Sequence, residues 1–250
     1  MAKKHKVLFI QLLLMVLILF TWEFLANQKI LNPFLFSSPS RVYETIKELL
    51  FSGNLLKHLM ATLYEVIISF TLGISIGFLF AIILYEVPIL FLIIEPFLTM
   101  MNSLPKVALG PMIIILIGAN QKSIIIMALL INLILSILNI YNGFLGTDQN
   151  RIKLMKSLKA TKLQILKYLI IPESLRTIIS QLKINISMTL IGVIMGEFLV
   201  SKEGIGYLII YGTQIFNLNL VITGIFLLIL LSIILYEGIS IIEQKTLKKF

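Results

Sequence analysis

The sequence predicts an all-α integral membrane protein with six transmembrane helices. Of its 250 residues, 58% are hydrophobic and 13% are charged, whereas an ordinary soluble domain has about 25% charged residues. A soluble fold of this length would not bury so much apolar surface without a bilayer or an oligomer. Six apolar stretches are long enough to cross about 30 Å of hydrocarbon as helices, and these are the predicted spans.

The first three predicted spans are residues 7–26, 61–85 and 89–118. The first follows a basic start, as in a signal peptide. It is long enough to span, however, and ends without a small-x-small cleavage pattern, so we expect a retained helix. The second carries Gly73 and Gly77 in a G-x-x-x-G spacing, which allows another helix to approach closely.

The third span contains three prolines, which predict kinks or an unwound stretch. Such a break is tolerated only where neighbouring protein or a water-filled path forms hydrogen bonds with the freed N–H and C=O groups of the backbone. The remaining spans are residues 123–145, 178–200 and 218–242. The fifth repeats the G-x-x-x-G spacing with Gly192 and Gly196. Residues 201–216, punctuated by glycines, are predicted as a loop with a short interfacial or re-entrant piece.

The basic residues near the span ends predict the orientation, because cytoplasmic loops collect Lys and Arg. With the N-terminus inside, twelve of them fall in inner segments and six in outer segments. The inner set is Lys3, Lys4, Lys6, the six residues from Arg151 to Lys167, Lys245, Lys248 and Lys249. Both termini and the basic segment are therefore predicted to be cytoplasmic.

The composition also excludes several kinds of site. Without cysteine, the chain has no disulfide, thiolate metal site or cysteine nucleophile. Its two histidines, His5 and His58, form no metal-binding pair, and no Gly-Lys pair exists to build a P-loop. The net charge of +9 lies on a membrane chain without aromatic readers, so no nucleic-acid partner is expected. No catalytic residue and no metal site are predicted.

The segment from Arg151 to Pro172 interrupts the apolar chain with six basic residues and no acid. The first half places Leu154, Met155 and Leu158 on one side of a helix and Lys153 and Lys156 on the other. Thr161 and Gln164 then fit a capping box. Two helices are therefore predicted, joined at Lys159-Ala160, with the second ending at Pro172. From these residues alone, a helix lying on anionic lipid is an equally good interpretation.

Four stretches along the chain carry a family resemblance. They are NPFLFSSPSRVYETIKELLFSGNLLKHL, NSLPKVALGPMIIILIGANQKS, KLMKSLKATKLQILKYLIIP and GEFLVSKEGIGYLI. In this order and spacing they resemble the permease subunits of bacterial ABC importers of the nitrate, sulfonate and taurine type. The resemblance implies a type I ABC importer permease fold. It also implies a transmembrane subunit for a small solute, either a sulfonate-, nitrate- or taurine-like anion or a thiamine-precursor-like compound.

In that family, the third stretch is a coupling loop that inserts into a groove on a separate ATPase subunit. By position, the family's Glu-Ala-Ala falls on Lys153, Leu154 and Met155, and its Gly on Lys159. The residues implied in ATPase coupling are Lys153, Leu154, Met155, Leu158, Lys159, Ala160, Leu166 and Pro172. A glycine normally supplies left-handed backbone at such a joint, so Lys159 implies a joint that is built differently or strained. We further expect an acidic groove on the ATPase that contacts Lys153 and Lys159.

Polar residues within the spans are candidates for the translocation path, because such groups usually face protein or a cavity. The candidates are Asn102, Ser103 and Pro105 in the third span and Asn185, Thr189 and Glu197 in the fifth. Hydrogen bonds between spans are the alternative for these residues. For Glu197, a loop carboxylate near Lys202 is a further alternative. Lys183 lies near Asn185 and Thr189 in the fifth span, and for this residue the alternative is a side chain that extends to the cytoplasmic surface along its stem.

Four parts are expected along the chain. Residues 1–26 are a cytoplasmic tail and the first helix, and 27–57 an extracytoplasmic connection. Residues 58–243 are the ABC transmembrane type-1 domain with its coupling loop at 148–172, and 244–250 a basic cytoplasmic tail. The resemblance places the chain in the bacterial inner membrane with both termini inside.

The implied partners are a second permease copy, two ABC ATPase subunits, an extracytoplasmic solute-binding lipoprotein and membrane lipid. The chain is expected to be no enzyme and to hold no cofactor itself, with ATP and Mg bound by the ATPase. One alternative is an ion-coupled secondary transporter, although coupling carboxylates at mid-membrane and repeated halves are not evident. The other is a non-transporting membrane scaffold whose intracellular segment binds only lipid.

Overall fold

A computed structural model describes residues 2–247 of the chain. The chain divides into two compact units, each described here by itself. The first comprises Met1–Ala61 and Glu203–Ile229, and the second Thr62–Lys202 and Leu230–Phe250. Lys248 and Lys249 of the predicted basic tail lie outside the described residues.

The described residues are helical and contain no strand. The first helices are α1 (Ala2–Asn27), α2 (Pro33–Phe36), α3 (Pro39–Phe51), α4 (Asn54–Glu86) and α5 (Pro88–Ser103). A 3₁₀ turn (Lys106–Leu109) leads into α6 (Gly110–Ile117), which is followed by α7 (Gln121–Leu145), α8 (Gln149–Ser157) and α9 (Lys162–Ile165). A π-helical turn (Leu166–Ile170) then leads into α10 (Ile171–Val200), which is followed by α11 (Ile205–Gln214) and α12 (Leu218–Leu247).

Five of the described helices are long and apolar enough to cross a membrane. The pair Pro88–Ser103 and Lys106–Ile117, bent by 88°, makes a sixth when it is counted as one span. The predicted six-span all-α membrane fold is thereby confirmed. The break falls at Leu104 and Pro105, where Leu104 has the extended backbone that a following proline favours. The predicted unwinding of the third span is therefore also confirmed.

In the second unit, α7 packs against glycines of α4 and α10. A Cβ atom added to Gly73 would lie 2.4 Å from Asn132 Nδ2, and one added to Gly192 would lie 2.7 Å from the Cα of Ala128. A side chain at Gly192 would push the backbones of α7 and α10 apart, and one at Gly73 would displace the side chain of Asn132. Both predicted G-x-x-x-G contacts are thus real, and α7 is their common partner.

An aromatic cluster lies in the core of the second unit, close to the basic segment. Phe91 stacks on Tyr141 with ring centroids 3.8 Å apart, and Phe144 meets Tyr85 edge to face. The buried apolar residues of the basic segment belong to the same core: Ile152, Ile165, Leu166 and Ile170. The segment is therefore anchored to the spans through its apolar residues.

In the first unit, α1 is tied to α3 at one end. The Glu23 carboxylate accepts hydrogen bonds from the backbone amide of Ser40 (3.0 Å) and from its hydroxyl (2.9 Å). Along the rest of the described helix most apolar side chains are exposed, as suits contact with lipid. The short piece predicted within 201–216 is α11.

Candidate functional site

The basic segment begins with α8, which is capped at its N-terminus by Asp148. The Asp148 carboxylate accepts a hydrogen bond of 2.8 Å from the backbone amide of Asn150. Apolar side chains occupy two sides of this helix rather than one. Ile152 is buried and Met155 packs on the core, whereas Leu154 and Leu158 are 60% and 71% exposed.

The prediction that Leu154, Met155 and Leu158 share one side of the helix is therefore wrong. Leu154 and Leu158 are one turn apart and lie away from the anchored side. No described residue covers them, and Lys153 and Lys159 beside them are exposed as well. This is an apolar patch framed by positive charge, the composition of a surface that binds another protein or a lipid head-group layer.

The joint after α8 has the geometry that glycine normally supplies. Lys159 has a φ of 62°, in the left-handed region that an L-residue adopts at a cost. The amide of Lys159 donates to the carbonyl of Lys156, and the amide of Ala160 donates to that of Met155. These two bonds form a Schellman motif. The joint thus has the left-handed backbone that a glycine would supply, and Lys159 strains it, which is one of the two outcomes expected for this residue.

The second half of the segment begins at the predicted capping box. The amide of Gln164 donates to Thr161 Oγ1 (3.3 Å), and the amide of Thr161 donates to Gln164 Oε1 (2.8 Å). The prediction that this helix ends at Pro172 is wrong, since helical structure continues to Val200. A π-helical turn precedes the proline, with the amide of Ile171 bonded to the carbonyl of Leu166. The wider turn makes room for the proline ring. It also suits a residue that has no N–H to donate to the preceding turn.

A chain of buried polar side chains joins α4, α7 and α10. Asn132 Nδ2 donates to the carbonyls of Ser69 and Phe70, and Ser136 Oγ donates to Asn132 Oδ1 (2.9 Å). Asn185 Nδ2 then donates to Ser136 Oγ at 3.1 Å. Asn132, Ser136 and Asn185 are all buried between the helices, where water competes little for their polar atoms.

Two predicted path residues, Asn185 and Thr189, belong to this chain. The Thr189 hydroxyl donates to the carbonyl of Asn185 (2.7 Å), and Asn139 Nδ2 approaches Asn185 Oδ1 (3.4 Å). Both Asn185 and Thr189 are buried against neighbouring helices in this conformation. Asn185 bonds to the neighbouring helix α7, whereas the Thr189 hydroxyl bonds within α10, and a role in the path stays a prediction for both.

Glu197 lies inside α10 and is fully buried. The alternative of a loop carboxylate near Lys202 is therefore wrong. Its Oε1 accepts a hydrogen bond of 2.6 Å from the hydroxyl of Thr62 on α4. Glu65, one turn further along α4, is also buried. Sequence reasoning identified the glutamate but not this partner, because 135 residues separate the two.

The remaining predicted path residues surround the break in the third span and are exposed. Lys106 Nζ donates to the Asn102 carbonyl (3.0 Å), and the Ser103 hydroxyl donates to the carbonyl of Thr99 (2.7 Å). Pro105 follows at the bend. Both hydrogen bonds stay within the third span, so they do not bring Asn102 or Ser103 to Asn185, and a shared path stays a prediction.

Lys183 does not simply extend toward the surface. Its ammonium forms an ion pair of 2.5 Å with Glu243 of α12 and lies 5.2 Å from the ring centroid of Tyr236. Both charged side chains are about four-fifths buried, with exposures of 20% and 16%. Sequence analysis missed Glu243, which carries no local signal of its own.

A histidine of the first unit holds the start of α11. His58 Nδ1 accepts a hydrogen bond of 3.0 Å from the backbone amide of Gly204, and the His58 ring stacks on Tyr207. Lys57 and Glu203, the neighbours of this pair, form an ion pair of 2.9 Å. Within residues 2–247, no group of three or more metal-ligating side chains could hold an ion.

Comparisons with known proteins give one family. Residues 73–248 match the family described as "Binding-protein-dependent transport system inner membrane component". The aliphatic sulfonates transport permease protein SsuC of Bacillus subtilis is 25% identical over 95% of this chain and 86% of its own length. The formylaminopyrimidine transport permease protein ThiX of Halalkalibacterium halodurans is 28% identical, covering 93% and 92%.

Two further comparisons are consistent with the same family. The taurine transport system permease protein TauC of Escherichia coli is 21% identical over 91% of this chain and 85% of its own. Among solved structures, an inward-facing conformation of the MetNI methionine ABC transporter aligns with a TM-score of 0.70 and 19% identity. It covers 78% of this chain and 96% of the solved one, and at this identity the likeness shows the fold alone.

Proposed function

Because the chain belongs to the family of binding-protein-dependent transport system inner membrane components, we propose that it couples solute movement to an ATPase through residues 148–172. As a member, it is the multi-pass permease subunit of an ABC importer, and ATP hydrolysis resides on separate subunits. The patch of Leu154 and Leu158 carries the proposal. Two adjacent exposed leucines framed by lysines on an anchored helix suit a protein partner, and in an ABC importer the ATPase subunit is that partner.

The anchoring explains how a force on α8 would reach the spans. Ile152 and Met155 hold α8 on the core that contains the aromatic cluster of α5 and α7. The π-helical turn and α10 continue from the same segment into the fifth span. A displacement of α8 therefore moves packed elements rather than a loose loop, because close-packed interiors transmit strain.

The complete transporter would contain two copies of this chain around a central path, two ATPase subunits that bind ATP and Mg, and a solute-binding lipoprotein outside. Basic residues orient the basic segment and both termini to the cytoplasm. The domain limits proposed from the sequence, 58–243 for the transmembrane domain and 148–172 for the coupling loop, fit this assembly. The solute would be a sulfonate-, nitrate- or taurine-like anion or a thiamine-precursor-like compound, and relatives named for sulfonates, taurine and formylaminopyrimidine support these classes other than nitrate.

Reconstituted uptake tests this proposal. Proteoliposomes that contain the permease, its ATPase and the loaded binding protein should accumulate solute only with ATP on the ATPase side. A proton or sodium gradient without ATP should drive no uptake. Gradient-driven uptake without an ATPase would contradict the proposal and favour a secondary transporter. Thermal shifts of the binding protein with taurine, an alkanesulfonate, nitrate and formylaminopyrimidine would identify the solute class.

A further inference from the structure

A polar cavity of about 670 Å³ lies in the second unit, beside the start of α10. Its walls include Arg151, Tyr168, Glu173, Arg176 and Thr246, which come from α8, the π-helical turn, α10 and the end of α12. This volume falls within the range of small-molecule sites, about 300–1,000 Å³. Pro172 alone among the predicted coupling residues lines it. The cavity is therefore distinct from the patch of Leu154 and Leu158.

The two arginines of the cavity differ in their contacts. Arg151 is committed, with Nη1 3.5 Å from Glu173 Oε1 and Nε 3.9 Å from Asp148 Oδ2. Arg176 is exposed and forms no salt bridge with any described residue. Its guanidinium retains the planar fork of donors that pairs with phosphate oxygens.

Glu173 has a carboxylate oxygen without a hydrogen-bond donor. Its Oε2 atom is buried and has no hydrogen-bond partner among the described residues. Such an acceptor is unfavourable unless a donor reaches it. A ligand that suits the cavity therefore offers an anion to Arg176 and a hydroxyl to the carboxylate of Glu173, whose side chain lines the cavity and is 27% exposed, once Oε2 turns toward the cavity. Arg151 is already balanced by Glu173 and Asp148, which leaves Arg176 as the one cation of the cavity without a paired carboxylate among the described residues.

We propose that this cavity binds a glycerophosphate group, as carried by the head group of phosphatidylglycerol. A phosphodiester has one negative charge, and the terminal glycerol supplies hydroxyl donors. The orientation proposed above places the start of α10 and the end of α12 at the cytoplasmic leaflet, where basic pockets between spans bind anionic head groups. The inference depends on that orientation and not on coupling to an ATPase.

Lipid retention by the purified full-length permease tests the proposal. Native mass spectrometry after extraction from vesicles of equal phosphatidylglycerol and phosphatidylcholine should show retention of phosphatidylglycerol. Arg176→Gln should weaken that retention about tenfold, because a charge-assisted bond to phosphate is lost. Lys156→Gln removes the same charge from the basic segment outside this cavity, and it should retain the lipid. Unfolding temperatures in phosphatidylcholine alone establish that both variants are folded.

Other outcomes are equally decisive. An equal loss in Arg176→Gln and Lys156→Gln would mean attraction by net charge alone, and unchanged retention in Arg176→Gln would remove the site; either overturns the proposal. Glycerol 3-phosphate that stabilises the permease in phosphatidylcholine only when Arg176 is present would support the same chemistry from a soluble source. Weaker ATPase assembly in Arg176→Gln with unchanged lipid retention would identify a protein interface instead and overturn the proposal.

Discussion

The backbone amide of Ala160 donates a hydrogen bond to the carbonyl of Met155 at 3.0 Å, and this bond encloses Lys159 in a left-handed conformation. Glycine is the residue that adopts this conformation without steric cost. The strained position lies at the end of α8, beside the exposed Leu158. The proposed coupling segment therefore places a lysine at a joint whose backbone conformation favours glycine.

Replacing Lys159 with glycine should stabilise the permease. Relief of the left-handed strain is worth about 1 kcal/mol, so Lys159→Gly should raise the unfolding temperature and slow hydrogen exchange at Ala160. Lys159→Val should do the opposite, because a branched side chain tolerates this backbone least. A lower stability for Lys159→Gly than for Lys159→Val would contradict the assigned backbone conformation.

The acidic-groove hypothesis predicts a charge effect that is separate from stability. Lys153→Glu should weaken assembly with the ATPase, since it places a carboxylate where the hypothesis requires a positive charge. Lys159→Gly should weaken it as well, although it stabilises the joint. Assembly is measured by co-purification at two salt concentrations, because exposed charge pairs weaken as salt rises. Wild-type assembly and transport in both variants would refute an acidic groove.

The general fold was predictable because its signals are local. Span length, the G-x-x-x-G pairs and the proline break at Pro105 each follow from a few neighbouring residues. The capping box of Thr161 and Gln164 was predictable for the same reason. Resemblance to relatives located the basic segment, yet it gave neither the buried side of α8 nor the π-helical turn before Pro172. Both depend on which faces the spans leave open to the segment.

Partners distant in sequence were not predictable. Nothing near Lys183 indicates Glu243, and nothing near Glu197 indicates Thr62, because the pairing is decided by helix packing. Asn185 was correctly singled out as a polar residue within a span. Its hydrogen bonds to Ser136 and Asn139 required the structure.

Asn185 should contribute to the stability of the helix bundle. Asn185→Leu leaves Ser136 and Asn139 without this partner, and interhelical hydrogen bonds of this kind contribute about 0.5–2 kcal/mol. The unfolding free energy in nanodiscs should fall by that amount. Ser180→Ala is the matched control, since the Ser180 hydroxyl bonds only within its own helix, to the carbonyl of Thr177. Equal stability in the two variants would argue against the network.

His58 should act chiefly as an acceptor for Gly204. His58→Leu leaves that buried amide unpaired, which costs about 1–3 kcal/mol. His58→Asn places an amide oxygen close to the position of Nδ1 and should recover much of the loss. Thermal unfolding of the two variants measures this difference. An equal loss in both would mean that ring packing on Tyr207, rather than the hydrogen bond, holds the start of α11.

The ion pair of Lys183 and Glu243 should behave as a unit. Glu243→Gln leaves the Lys183 ammonium without its charged partner, so the free energy of unfolding should fall. Adding Lys183→Met to the same chain should restore part of that stability, since no unpaired charge then remains. Additive losses in the double variant would show that the two residues do not interact.

The central claim, that α8 contacts the ATPase, is tested most directly by crosslinking. The chain contains no cysteine, so Leu158→Cys introduces a single thiol, and Phe51→Cys, exposed at the end of α3, supplies a control on the proposed outer side. A short thiol-to-amine crosslinker should join Leu158→Cys to the ATPase subunit in the assembled transporter, with a yield that changes when ATP binds. Phe51→Cys should give no such product. Absence of the Leu158→Cys product in an assembled and active transporter, or an equal yield from Phe51→Cys, would contradict the account.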